Sequence, residues 1–181
     1  MLLLSLLPET MQNALHYQRS TVANAEYWRL ISGHLLHSNY WHLAMNLGGL
    51  ALVMLLHGSY HTSWQLWLRV ATASLLISIA IYLWSPDIAI YVGLSGVLHA
   101  LLCWGALVDI QRKEPTGSLL LIGLIGKVGW EQWHGADAQL AALINAEVAI
   151  DAHLYGLISG MLLWCATLVC QRFWPANSSS R

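Results

Sequence analysis

Charge is what this chain of 181 residues has least of. Asp, Glu, Lys and Arg together make up 9% of it, where a soluble domain carries about 25%. With 57% hydrophobic residues and a mean hydropathy of +0.54, the deficit excludes a water-solvated domain and points to a membrane protein. There is no basic excess either: the net charge is −1, which excludes a nucleic-acid binder driven by phosphate neutralisation. Cysteine is scarce and unpatterned. Cys103, Cys165 and Cys170 lie in apolar stretches without CxxC spacing, so they read as buried thiols with neither a disulfide framework nor a metal knuckle. Phenylalanine occurs once, against ten Trp and seven Tyr, the amphipathic rings that gather at membrane–water boundaries. No internal repeat is visible, and the polar tail Asn177–Arg181 is the only low-complexity stretch.

A spanning helix needs about 20 apolar residues to cross a hydrocarbon core of about 30 Å. Five stretches approach that length: Tyr40–His57, Leu66–Trp84, Gly93–Val108 ended by Asp109, a short Ser118–Trp133, and Asp151–Phe173 with Asp151 as a potential N-cap. Met1–Leu7 is apolar but stops at Pro8. It lacks the basic region and cleavage site of a signal peptide and reads as the end of a curtailed first helix. The expected fold is therefore an all-α, polytopic helical bundle of six spans, the first truncated or short. Glu9–Ser38, mixing Arg19, Glu26 and Arg29 with Tyr17, Tyr27 and Trp28, suits a loop with short helices in the interface. Gly135–Ile150 reads as a loop or surface helix, and as a gate beside the last span. The boundaries expected are a membrane domain over 1–174, with 9–38 as its outer interfacial loop, and a polar cytoplasmic tail over 175–181.

Basic residues set the orientation. Arg69, Arg112, Lys113, Arg172 and Arg181 fall on one side of alternating spans, which the positive-inside rule makes cytoplasmic. Arg19 and Arg29 go against the rule. The starts of the spans at Tyr40, Gly93 and Asp151 then share the outer side.

Polar groups are costly in a bilayer and face the bundle interior. His42 and Asn46 are four apart, as are Ser95 and His99, so each pair lies on one helix face. His153, Gly156 and Gly160 share another, and Ala152-xxx-Gly156-xxx-Gly160 lets a second helix approach closely. By the span boundaries, His42, Asn46, Ser95 and His153 sit at one shallow depth. Together they could perform acyl transfer: a serine, a histidine to take its proton, and Asn46, His42 and the Ser95 amide as oxyanion donors.

Plainer readings compete with each assignment. Ser95 beside Gly93 and Gly96 could be a packing contact, and His42 with Asn46 interhelical hydrogen-bond glue. His153 could serve proton relay or cofactor ligation, and His34, His37 and His42 a metal site. His57 and His61 read as interface residues, and His99 as a rival base. Lys127 and Glu131, four apart, read as neutralising each other. No acidic partner for His153 is evident, because Asp151 lies about 200° round the helix from it.

The motifs Glu26-Tyr27-Trp28-Arg29, His37 with His42-Leu43-Ala44-Met45-Asn46, Gly93-Leu94-Ser95-Gly96 and Ala152-His153-xx-Gly156-xxx-Gly160 resemble, in order, the signatures of the rhomboid intramembrane serine proteases. The resemblance implies Ser95 as nucleophile and His153 as base in a dyad without an acid, with His42 and Asn46 as oxyanion donors. It implies Trp28 and Arg29 as parts of a structural loop, and Gly156 and Gly160 as contacts to the serine helix. His99 stands where many rhomboids carry a tyrosine stacked on the histidine. No cofactor or metal is implied; the partners are a substrate's transmembrane segment and the lipid bilayer. The location implied is a bacterial inner membrane, with the site facing the periplasm. The wording around Ser95 and the Lys127…Trp130-Glu131-Gln132 run is most similar to the rhombosortase branch, associated with secreted proteins bearing a C-terminal Gly-Gly signal. A catalytically inactive helix binder and a His-ligated metal or haem protein are the rival readings.

Overall fold

The computed structural model describes residues 1–173, so the expected tail at 175–181 lies outside the described residues. Five long helices make the bundle: α4 (Tyr40–His57), α5 (Ser63–Trp84), α6 (Ser95–Gln111), α7 (Pro115–His134) and α9 (Ile150–Phe173). Shorter helices α1 (Glu9–Leu15), α2 (Arg19–Ala23) and α3 (Arg29–Ser32) form the first loop, and α8 (Ala138–Ile144) the last. Local chemistry starts them. Asn39 caps α4 by accepting from His42 N at 2.9 Å, Thr62 and Gln65 form a capping box on α5, and Pro115 opens α7. The α4 helix with its following turn (Tyr40–Tyr60), α5 and α9 are long and apolar enough to cross a membrane; α6 is apolar but shorter. The stub at Met1–Leu7 is a single 3-10 turn, Leu4–Leu6, so the expected sixth span is represented among the described residues by that turn alone.

Helix α6 is the hub, packed against α4, α5, α7 and α9. Its tightest neighbour is α9, because glycines remove the side chains that would hold the two apart. A Cβ at Gly156 would fall on the Gly96 carbonyl, and one at Gly160 would meet the Ala100 carbonyl at 2.5 Å. Outward faces carry large apolar side chains such as Leu55, 82% exposed, as lipid contact requires.

The first loop is tied down by its own charges. Arg29 is 6% exposed; it pairs with Glu26 at 2.6 Å and donates to the carbonyls of Asn13 (2.7 Å) and His16 (2.8 Å). Trp28 Nε1 donates to Ala14 O. Arg19 donates to Ile81 O and Ser85 O at 2.8 and 2.7 Å, which also accept from Ser85 N and Ile88 N, and to Tyr82 O, which Pro86 leaves without a helical partner. Strand β1 (Tyr17–Gln18) pairs antiparallel with β2 (Ile90–Tyr91), Tyr17 facing Tyr91. That ribbon fixes the chain just before Ser95.

Four expectations are corrected. Asp109 does not end its helix: α6 continues to Gln111, and the buried carboxylate meets His57 Nε2 at 3.2 Å and Tyr60 OH at 2.7 Å. His57 is fully buried rather than interfacial, since Asp109 supplies the partner its burial needs. Asp151 lies inside α9, and instead of capping it accepts from Ser85 Oγ at 2.5 Å. Cys103 is buried but Cys165 and Cys170 are exposed, because on a lipid-facing helix apolar neighbours surround outward positions too.

Candidate active site

Ser95 is the first residue of α6. The amides of Ser95, Gly96 and Val97 precede the first helical bond, Leu98 N→Leu94 O, so they have no intrahelical partners and lie at the positive end of the helix dipole. Gly93 makes the turn into the helix. Its φ of +124° is open chiefly to glycine, and a Cβ there would come within 2.7 Å of the His42 ring. The Gly93 carbonyl accepts from Tyr91 OH at 2.8 Å; burial pushes that phenol's pKa up, keeping it a donor.

The residues singled out from the sequence meet here. His153 Nε2 lies 3.0 Å from Ser95 Oγ. The His99 ring stacks on His153, centroids 4.2 Å apart and planes 16° from parallel. His99 Nδ1 lies 2.7 Å from Ser95 O and must donate, since a carbonyl only accepts. His42 and Asn46 border Gly93 from α4, and Asn46 Nδ2 spends one hydrogen on His42 O at 3.0 Å. Gly156 and Gly160 stand behind, seating α9 on α6. Trp28 and Arg29 bond to the first loop's own backbone, as described above.

The network also assigns His42. Two Ser38 contacts of opposite sense meet His42 Nδ1: the hydroxyl, whose proton goes to Ile144 O at 2.6 Å, can accept from it at 3.0 Å, while the Ser38 backbone N–H approaches it as a donor at 3.5 Å. The shorter, hydroxyl contact favours a neutral His42 with its proton on Nδ1, away from Gly93. The same Ser38, with Asn39 Nδ2 on Leu143 O at 2.9 Å, pins the end of α8 to the start of α4, so the segment expected to be a gate is latched beside His42.

One residue in the cluster had a different reading. Glu131 Oε2 is 2.9 Å from His153 Nδ1, while its Oε1 takes Lys127 Nζ at 2.7 Å. The Lys127–Glu131 pair is thus real but not closed on itself; the same carboxylate supplies an acid where none was evident. Its signal in the sequence was faint: an acidic side chain on the one charged stripe of an apolar helix.

Among the described residues, His99, Glu131 and His153 are the one group whose ligating atoms lie within 4.8 Å of one another. Stacked rings hold their in-plane lone pairs side by side rather than aimed at one ion, so the geometry suits a proton path more than a metal. The supposed His34–His37–His42 set does not converge. His34 is bonded to Ser78 at 2.9 Å and held by burial at a pKa of about 3, and His37 meets His42 edge to face at 5.1 Å.

Comparison with known proteins bears on this geometry. Residues 24–170 match the family model described as "Rhomboid domain". The chain is also similar to "Putative rhomboid protease YdcA" of Bacillus subtilis (strain 168), 30% identical over 145 residues that cover 78% of this chain and 68% of that one.

Proposed function

The chain belongs to the rhomboid family, and on that footing we propose that it is an intramembrane serine endopeptidase that cuts a substrate's transmembrane segment near the outer face of a bacterial inner membrane. The observation that carries the reading is the 3.0 Å approach of Ser95 Oγ to His153 Nε2, at a helix start whose first amides have no intrahelical partners. In the first half-reaction the Oγ–H proton passes to His153 Nε2 as Oγ bonds to the scissile carbonyl carbon. The carbonyl electron pair moves onto oxygen, where Asn46, the Ser95 amide and the α6 dipole can receive it. Collapse breaks the C–N bond, and the Nε2 proton leaves on the amine. A water then repeats the cycle on the acyl-Ser95 ester. Lipid excludes water from most of the bundle, so substrate helices with small, easily unwound residues fit best. Of the finer possibilities, the wording around Ser95 favours the rhombosortase branch, with secreted proteins bearing a C-terminal Gly-Gly signal as substrates.

A serine-directed fluorophosphonate on the detergent-purified chain tests this. Wild type labels, whereas Ser95→Ala and His153→Ala lose labelling by about 1,000-fold or more. Labelling unchanged in Ser95→Ala overturns the reading. For the branch, cleavage of a co-expressed protein ending in a Gly-Gly signal is expected, lost on Gly-Gly→Leu-Leu.

A further inference from the structure

A histidine that acts as base through Nε2 must carry its proton on Nδ1, and something must hold that tautomer. In a solvated site water could serve; here the His153 side chain is 6% exposed. Its Nδ1 faces a carboxylate at 2.9 Å, and a carboxylate, when ionised, only accepts. We propose that Glu131 is a positioning residue for the reaction, fixing His153 as the Nδ1–H tautomer and stabilising the imidazolium formed when Ser95 is deprotonated, with Lys127 sharing the carboxylate's charge through the other oxygen. The inference rests on the serine–histidine reading above and makes the dyad a Ser95–His153–Glu131 triad.

The geometry separates this from a helix-stabilising ion pair. An i,i+4 pair needs one carboxylate oxygen, and Lys127 takes Oε1; the other oxygen crosses from α7 to α9. The Lys127 side chain is 49% exposed while Glu131 is 15% exposed, so the pair is open at the ammonium end and shielded at the histidine end. The other ionisable groups around His153 are accounted for. From α6, His99 lies flat on the ring and is bonded to Ser95 O. From α4, His42 points its Nδ1 at Ser38. On α9 itself, Asp151 is bonded to Ser85. The single charged side chain of α5, Arg69, is away from the ring, stacked on Trp104 and bonded to His61. Glu131 is therefore the one carboxylate, among the described residues, that meets the ring. The proton stays on Nδ1 throughout; Glu131 orients and offsets charge without taking it.

The full chain in detergent, treated with a fluorophosphonate over a pH series, reads the proposal out. Glu131→Gln keeps the size but leaves an amide that can also donate, so the wrong tautomer is no longer excluded. Its labelling rate is expected to fall about 100-fold or more. The pH at which the rate rises to half its plateau should move down, because the imidazolium loses its neighbouring charge. Glu131→Asp, which retains a carboxylate, should recover part of the rate and the wild-type midpoint. Lys127→Met should keep most of the rate and move the midpoint up, the carboxylate's charge being no longer shared. Thermal unfolding of each variant separates loss of fold from loss of rate; if Glu131→Gln does not fold, the Glu131→Asp and Lys127→Met midpoints decide. A Glu131→Gln protein that labels at the wild-type rate with an unmoved midpoint overturns the triad while Ser95-dependent labelling leaves the serine–histidine reading standing. Labelling that does not depend on Ser95 overturns both.

Discussion

An oxyanion donor needs a hydrogen pointing at the place where charge develops, and at the residue scale the two candidates on α4 differ in that respect. In the tautomer that the shorter Ser38 contact favours, His42 carries its neutral-state proton on Nδ1, so Nε2 presents a lone pair toward Gly93. Asn46 has a second Nδ2 hydrogen left after bonding His42 O. The expected outcome is that Asn46→Ala lowers the fluorophosphonate labelling rate about 100-fold, as for loss of one oxyanion donor. His42→Ala, whose ring fills space beside Gly93, should lower it less at neutral pH and approach wild type fastest under alkaline conditions. Equal losses across pH would contradict the tautomer assignment. Ser95, His153, His42 and Asn46 were legible in the sequence because each is a polar residue in a span and all four share a depth. Glu131 was not, because a carboxylate with a lysine at i−4 already has a sufficient local explanation. Nothing local to α7 shows that its second oxygen meets a residue 22 positions away.

At the scale of elements, the contact between α6 and α9 sets the distance between Ser95 and His153. Backbone meets backbone at Gly96, Ala152 and Gly156, so any side chain at position 156 must push the helices apart. Gly156→Leu is expected to cost about 1–3 kcal/mol by overpacking, seen as a lower unfolding midpoint, and to lower labelling further than the lost stability explains, because His153 is displaced from Ser95. A variant that keeps its midpoint but loses labelling would still place the effect at this contact; full activity with a leucine there would refute the account. Spans and their order could be read from apolar run length and the small-residue steps. Helix ends could not where a charge was buried with a partner. Asp109 looked like a stop because composition does not reveal that His57 and Tyr60, 52 and 49 positions earlier, wait at its depth. The in-or-out facing of Cys165 and Cys170 was equally hidden, since lipid and protein interior ask for the same residues.

For the whole molecule, orientation is the property that decides which substrates can be reached. In the proposed arrangement Arg69, Arg112 and Lys113 lie on the cytoplasmic side, with α8 and the first loop outside. A cysteine placed at exposed Gln139 in a cysteine-free background should react with an impermeant maleimide in intact spheroplasts, and one at exposed Lys113 only after permeabilisation. The reverse pattern would invert the topology and the site with it.

Arg19 and Arg29 count against that orientation only while they are free cations. Once folded, their guanidinium groups are spent on carbonyls of Ile81, Tyr82 and Ser85 and of Asn13 and His16. Arg19, moreover, finds its partners at the far end of a helix synthesised more than sixty residues later. In the proposed orientation, the nascent loop therefore emerges with the Arg19 charge uncompensated, and the insertion machinery must carry it across the membrane before the carbonyls that will silence it exist. Orientation and folding are thus ordered in time: the commitment to topology comes first, and the clamp that Arg19 then closes on α5 makes that commitment costly to reverse.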